Sequence, residues 1–325
     1  MATFPDDPLA RFLDLADGLV AEKSWWEDRT IVRYAALPLV TADGDAPALV
    51  RSAVQAAATL KEEAGWASDL RSTLRYVLAA FAIAEGGGVR GFVKACEALR
   101  TRFRDQGVRR GGVFERTAAA MLHVGGAGRD QDVARMQKIY ETMKQHHWWL
   151  TGPEDLPACA LLTVHGGDPD GMPQRIEAIY QRLRDGGLSA GDGLQMASHV
   201  LYLAPGSAAE ATERFLQLHR GFLDQGIRMW DSDRDELAIL CLLATDTQRT
   251  LRTVIDHRQR IRERLRHVGP TASFSFACGT AFLHALAGEP VDDALRRDLT
   301  VANLMMATNA ATALAQQRAA AAASS

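Results

Sequence analysis

The residues of this sequence best placed to do chemistry are carboxylates gathered at the starts of apolar segments. Glu154 and Asp155 precede the apolar stretch 157–164. Asp192 and Gln195 open the stretch 194–204, and Trp230-Asp231-Ser232-Asp233-Arg234-Asp235-Glu236 leads into 237–244. Acids converging on one rim can serve as general acid and base, or hold a divalent cation through oxygen ligands. Asp233 and Asp235 are the candidate acids, and His199, set inside an apolar stretch, is the candidate base. Glu154, Asp155, Gln195, Asp231 and Trp230 are the candidate ligand contacts. A structural reading competes with all of these. Acidic residues suit the positive end of a helix, and Ser232-x-x-Asp235 and Asp233-x-x-Glu236 both have the spacing of a capping box.

Other chemistries find less support. No His-x-x-x-His pair occurs, and the adjacent His146 and His147 cannot share a helical face, so no metal site is expected; the sequence leaves any cofactor unknown. There is no Gly-x-Ser-x-Gly elbow and no phosphate-binding loop; Gly86-Gly87-Gly88 reads as a turn between helices. Cys96, Cys159, Cys241 and Cys278 are widely spaced among apolar neighbours and read as reduced core residues. The 37 basic and 40 acidic side chains give a net charge of -3, which removes the usual electrostatic argument for nucleic acid. The arginines at 258, 260, 262, 264 and 266 are broken by Asp256 and Glu263 and backed by Leu251, Val254, Ile261 and Leu265, the pattern of a solvated outer face.

The elements that must position the acids recur down the chain. A short, almost uniformly apolar helix, a Gly-rich or polar turn and a longer amphipathic helix follow one another with a period of about forty residues. The apolar members are 31–40, 74–84, 117–124, 157–164, 194–204, 237–244 and 274–286. Most amphipathic members stop at a glycine suited to a left-handed cap: Gly65, Gly107, Gly187, Gly226 and Gly269, with Trp148 near that place in the third pair. With no strand alternation, the fold class is all-α, with six or seven helix hairpins. A helix apolar on every side must be buried on every side, which favours a closed α/α toroid over an open α-solenoid. The expected organisation is a capping helix at 1–27, the helix-pair domain at 28–289, and a final helix with a fraying, alanine-rich tail at 290–325.

The start, Met1 to Asp7, is acidic rather than signal-like, and the longest apolar runs are about half of the ~18 residues a membrane span needs. The expectation is a cytoplasmic protein without membrane insertion.

Two resemblances stand beside this reading. The stretch Leu150-Thr151-Gly152-Pro153-Glu154-Asp155-Leu156-Pro157, with Gly193-Leu194-Gln195-Met196-Ala197-Ser198-His199-Val200-Leu201 after it, resembles a bacterial family known as domain of unknown function four thousand and three. That resemblance implies an all-helical bacterial protein, carries no activity, and singles out Glu154, Asp155, Gln195 and His199. The segment 230–238 is similar to the acid motif of type II isoprenoid cyclases, whose α/α barrel protonates an alkene with an aspartic acid. Arg234 interrupts the paired aspartates of that motif, and a neighbouring Arg tends to lower a carboxyl pKa. The leading expectation is therefore a helical protein that binds a small-molecule ligand or a protein partner in the concavity of its inner helices. An enzyme with an acidic pocket rim and a protein-interaction scaffold are the alternatives.

Overall fold

The computed structural model describes residues 5–25, 27–63, 74–86, 88–146, 152–167, 171–243, 245–287 and 293–323. They are predominantly helical, with no strand among them. In chain order the helices are α1 (Pro8–Glu22), α2 (Arg29–Tyr34), α3 (Ala36–Leu39), α4 (Ala46–Glu63), α5 (Arg75–Ala84), α6 (Val89–Asp105), α7 (Val113–Val124) and α8 (Asp130–His146). Then follow α9 (Leu156–His165), α10 (Met172–Asp185), α11 (Asp192–Tyr202), α12 (Ala208–Asp224), α13 (Arg234–Ile239), α14 (Thr247–Arg264), α15 (Pro270–Ala287) and α16 (Asp293–Ala323). Short 3₁₀ turns at Pro153–Asp155 and Asp231–Asp233 lead into α9 and α13. No single helix among the described residues is long and apolar enough to cross a membrane.

Local chemistry accounts for many of the helix ends. Asp7 accepts from the Ala10 amide, Asp28 from those of Thr30 and Ile31, and Ser207 with Glu210 forms a reciprocal capping box on α12. After α10, Gly187 turns left-handed at φ 93°, a conformation that costs a side chain dearly, and Leu188 N–H then reaches back to the Leu183 carbonyl. Gly107 and Gly226 stop α6 and α12 in the same way. The stop after α14 falls elsewhere: His267, not Gly269, takes the positive φ, and the Gly269 carbonyl instead accepts from Ser273 at the start of α15. Gly65 and Trp148 lie outside the described residues, as do Trp26, Trp66 and Trp149.

Three segments depart from the sequence reading. The stretch 31–40 is two short helices rather than one, broken at Ala35 just before the Ala36-Leu37-Pro38-Leu39 turn of helix; a proline there supplies no amide to an α2 carbonyl. The stretch 237–244 is helical only to Ile239; the Cys241 and Leu242 amides then bond three residues back, the tighter geometry of a 3₁₀ exit. The alanine-rich stretch expected to fray continues α16 to Ala323, as alanine's high helix propensity favours.

The chain divides into two compact units. The first comprises Met1–Glu97, His257–Gly288 and Asn303–Ser325. In it α1 packs against α2, α3, α4 and α15, and the Phe276 ring meets those of Phe12 and Tyr34 at 5.2 and 4.6 Å. Glu27 is buried, yet it accepts from Arg75, Tyr76 and the Ser24 amide, so its charge is matched. Two of the α14 arginines are turned to α1: Arg264 bonds Asp14 and Asp17, and Arg260 lies 3.6 Å from Asp7.

The second unit comprises Ala98–Asp256 and Glu289–Ala302. Here α7 packs on α9, α9 on α11 and α11 on α13, while α10 packs on α12. Helix α9 is buried from Leu156 to Thr163, and each large apolar side chain so removed from water contributes roughly 1.5–3 kcal/mol. That burial seats the N-terminal ends of α7, α9, α11 and α13 side by side.

Candidate functional site

The row of N-termini in the second unit carries the candidate residues. At the start of α9 the Asp155 carboxylate turns back to accept the Gly152 amide at 2.9 Å. Its other oxygen receives Gln195 Nε2 of α11 at 3.2 Å. Gln195 is only 4% exposed, and its Oε1 has no hydrogen-bond partner among the described residues. Asp192, one turn earlier on the same helix face, is exposed, and so is Glu154. His199 is buried one turn beyond Gln195.

Electrostatics single out Asp155. Burial, reinforced by the nearby charges of Glu154 and Asp192, pushes its pKa up to about 7 against the opposing hydrogen bonds from Gly152 and Gln195. Burial likewise raises the Tyr140 hydroxyl on α8, which feels Arg109 as well as Asp155. The Cys159 thiol beside it is raised well above its ordinary range and lies 3.5 Å from Met143 sulfur, a core residue rather than a nucleophile. Cys241 and Cys278 are buried and Cys96 is half-buried, and none of the four cysteines forms a disulfide.

The turn before α13 repeats the backbone device. Asp233 is buried and accepts the Trp230 amide at 2.9 Å, the role Asp155 plays for Gly152. Asp233 therefore caps backwards, and its side chain makes no forward cap on α13. Asp231 accepts the Gly193 amide of α11 at 3.0 Å and pairs with Arg234 at 2.5 Å. Arg234 also donates to the Ser189 carbonyl and hydroxyl at 2.9 and 2.8 Å. Its guanidinium is thus engaged by Asp231 and Ser189, and the Asp235 carboxyl is not lowered as the sequence suggested. Burial raises it, while Glu236, hydrogen-bonded to it through both side chain and backbone, draws it back. Trp230 is 44% exposed, with the Arg228 guanidinium stacked 3.9 Å over its ring.

Sequence reasoning missed Glu115, at the start of α7. It is buried, receives Arg100 at 3.0 Å and the Gly111 amide at 3.3 Å, and completes a series. Glu115, Asp155, Gln195 and Asp235 follow one another at intervals of forty residues, all buried, each at the start of one of the apolar helices α7, α9, α11 and α13. The signal that reveals them is a polar period with the same length as the apolar one. Among the described residues no group of three His, Cys, Asp or Glu side chains is placed to hold a metal ion.

These features define an all-helical protein with buried carboxyl and amide groups aligned along one row of helix N-termini. The chain belongs to the family described as "Protein of unknown function (DUF4003)", whose model matches residues 20–278. A curated relative, "Uncharacterized protein YeaA" of Bacillus subtilis (strain 168), is similar at 26% identity over 119 residues. That stretch is 36% of this chain and 36% of the relative, so the match spans about a third of the curated protein. No solved structure matches the chain. The cyclase resemblance of 230–238 has no counterpart in these matches.

Proposed function

We propose that this chain is a helical-repeat binding protein that takes a small-molecule ligand at the N-terminal rim of α7, α9, α11 and α13. Glu154, Asp155, Gln195, Asp231 and Trp230 are its contacts in this reading. The observation that carries it is Gln195 Oε1, a buried acceptor with no hydrogen-bond partner among the described residues, beside a carboxyl whose pKa burial pushes up to about 7. Natural interiors rarely leave such an atom unmatched, and a ligand donor satisfies it. In the same reading the helix hairpins are repeats that curve into an α/α toroid, of which 1–27 and 290–325 are the terminal pieces, in a cytoplasmic protein. The packing of α1 and α3 against α15, and the α7–α9–α11–α13 succession, support that arrangement.

A second reading rests on the Asp235–Glu236 pair: a protonated, desolvated carboxyl is what an acid catalyst of the isoprenoid-cyclase kind requires. Here Asp235 is the acid, with Asp233 fixing the turn and His199 the base. A thermal-shift screen of small-molecule metabolites against wild type, Gln195→Leu and Asp235→Asn tests both. Compounds that stabilise wild type but not Gln195→Leu support the binding site. Compounds that stabilise all three equally count against it, and turnover of a polyprenyl substrate that Asp235→Asn abolishes establishes the second reading.

A further inference from the structure

The side-chain atoms left to meet a ligand from Glu154, Asp155, Asp192 and Gln195 are hydrogen-bond acceptors. Gln195 spends its Nε2 donor on Asp155 and leaves Oε1 free, and Asp155 already receives Gly152 and Gln195. The Glu154 carboxylate lies against Gly152: a methyl group added there would meet its oxygens at 2.2 and 2.4 Å. Asp192 stands one turn before Gln195, close enough for its charge to be felt at Asp155. Two cations of the rim are committed elsewhere: Arg234 to Asp231 and Ser189, and Arg228 to the Trp230 ring. A site in which these four side chains offer acceptors and negative charge is complementary to a ligand offering donors and positive charge.

We infer that Glu154, Asp155, Asp192 and Gln195 form a recognition site for an organic cation with N–H donors, an alkylammonium or guanidinium group. This inference rests on the binding reading above and narrows it to one ligand class. One donor of the cation meets Gln195 Oε1, and the exposed carboxylates of Glu154 and Asp192 flank it at the surface. Occupancy neutralises the repulsion that Glu154 and Asp192 exert on Asp155, so binding releases a proton and tightens as pH rises from about 6 to about 8.

Isothermal titration of the full chain with putrescine, spermidine and agmatine, at about 50 mM salt where surface screening is modest, is the test. The expected result is saturable one-to-one binding of at least one probe. Gln195→Leu weakens it about tenfold, the cost of one hydrogen bond to a charged group, and Glu154→Gln with Asp192→Asn weakens it at least as much. The double variant alters only exposed side chains, so it carries the test if Gln195→Leu fails to fold. No binding by any of the three cations, or binding that both variants leave unchanged, overturns the inference; the latter marks diffuse attraction to an acidic surface. Parallel titrations with mannitol and malate separate the two readings. If either binds in a Gln195-dependent way, the site stands and the cation assignment falls; if neither they nor the cations bind, and the thermal-shift screen is silent, both fall.

Discussion

The turns before α9 and α13 are built alike and loaded differently. In each, an aspartate at the third position of a 3₁₀ turn accepts the amide three residues back at 2.9 Å and opens a buried helix. Beyond that the chemistry diverges. Leu156 and Pro157 follow Asp155 and bring no charge, so burial, reinforced by the like charges of Glu154 and Asp192, carries its pKa up to about 7. Arg234 follows Asp233, and its guanidinium joins Asp231 to Ser189 within the turn. One turn carries its own counter-charge, and the other sits beside Gln195 Oε1, an acceptor with no hydrogen-bond partner among the described residues. A shared backbone device thus yields a structural clasp in one place and a candidate binding site in the other, the difference set by one side chain after the turn.

The largest expected effect falls on the turn before α9. Asp155 holds its proton in the folded state up to about pH 7 but releases it near 3.9 when unfolded, so the folded state binds the extra proton between those values. Its contribution is full below about pH 4 and is lost as pH rises through 7. Asp155→Asn keeps the shape and the Gly152 bond without the ionisation. The variant should match wild type near pH 4 and exceed it by roughly 3–4 kcal/mol near pH 8, measured by urea unfolding. Equal pH profiles for the two proteins would refute the electrostatic account of this turn. At the turn before α13 the sign reverses: Arg234→Met strips the ion pair and two bonds to Ser189 and should cost about 3 kcal/mol at any pH from 5 to 8. A loss under about 1 kcal/mol would mean that Arg234 is not what closes the clasp.

The apolar period announced the alternation of buried and amphipathic helices, because burial on all sides leaves no polar position along a segment such as 157–164. It exaggerated helix lengths where apolar residues run past the last helical turn, as at Leu240 to Leu243, since hydrophobicity marks burial and not hydrogen-bond geometry. At the site, Glu154, Asp155 and Gln195 were legible from their place before apolar runs. Two facts were not. That Arg234 serves Asp231 rather than Asp235 depends on side-chain direction, which spacing does not specify. That Glu115 belongs to the series required following a polar residue through the repeat, where attention to apolar residues alone passes over it.

The smallest effects distinguish how rigidly the two turns are held by their neighbours, and two glycines read this out. At Gly193 a Cβ would stand 2.1 Å from the Asp231 carbonyl oxygen, a backbone atom fixed by the turn, so Gly193→Ala must push α11 and the clasp apart. The expected cost is about 2 kcal/mol, the scale of overpacking in a close contact. At Gly152 the obstacle is the Glu154 carboxylate, the free end of an exposed side chain that can swing into water. Gly152 has φ -128°, open to any residue, so Gly152→Ala should cost under about 0.5 kcal/mol. It should also displace Glu154 from beside Asp155 and so lower the Asp155 pKa, seen as a downward shift of its carboxyl titration by NMR. If instead Gly152→Ala proves as costly as Gly193→Ala, Glu154 is locked in place, and the Asp155 turn is a second clasp rather than a site held open for a ligand.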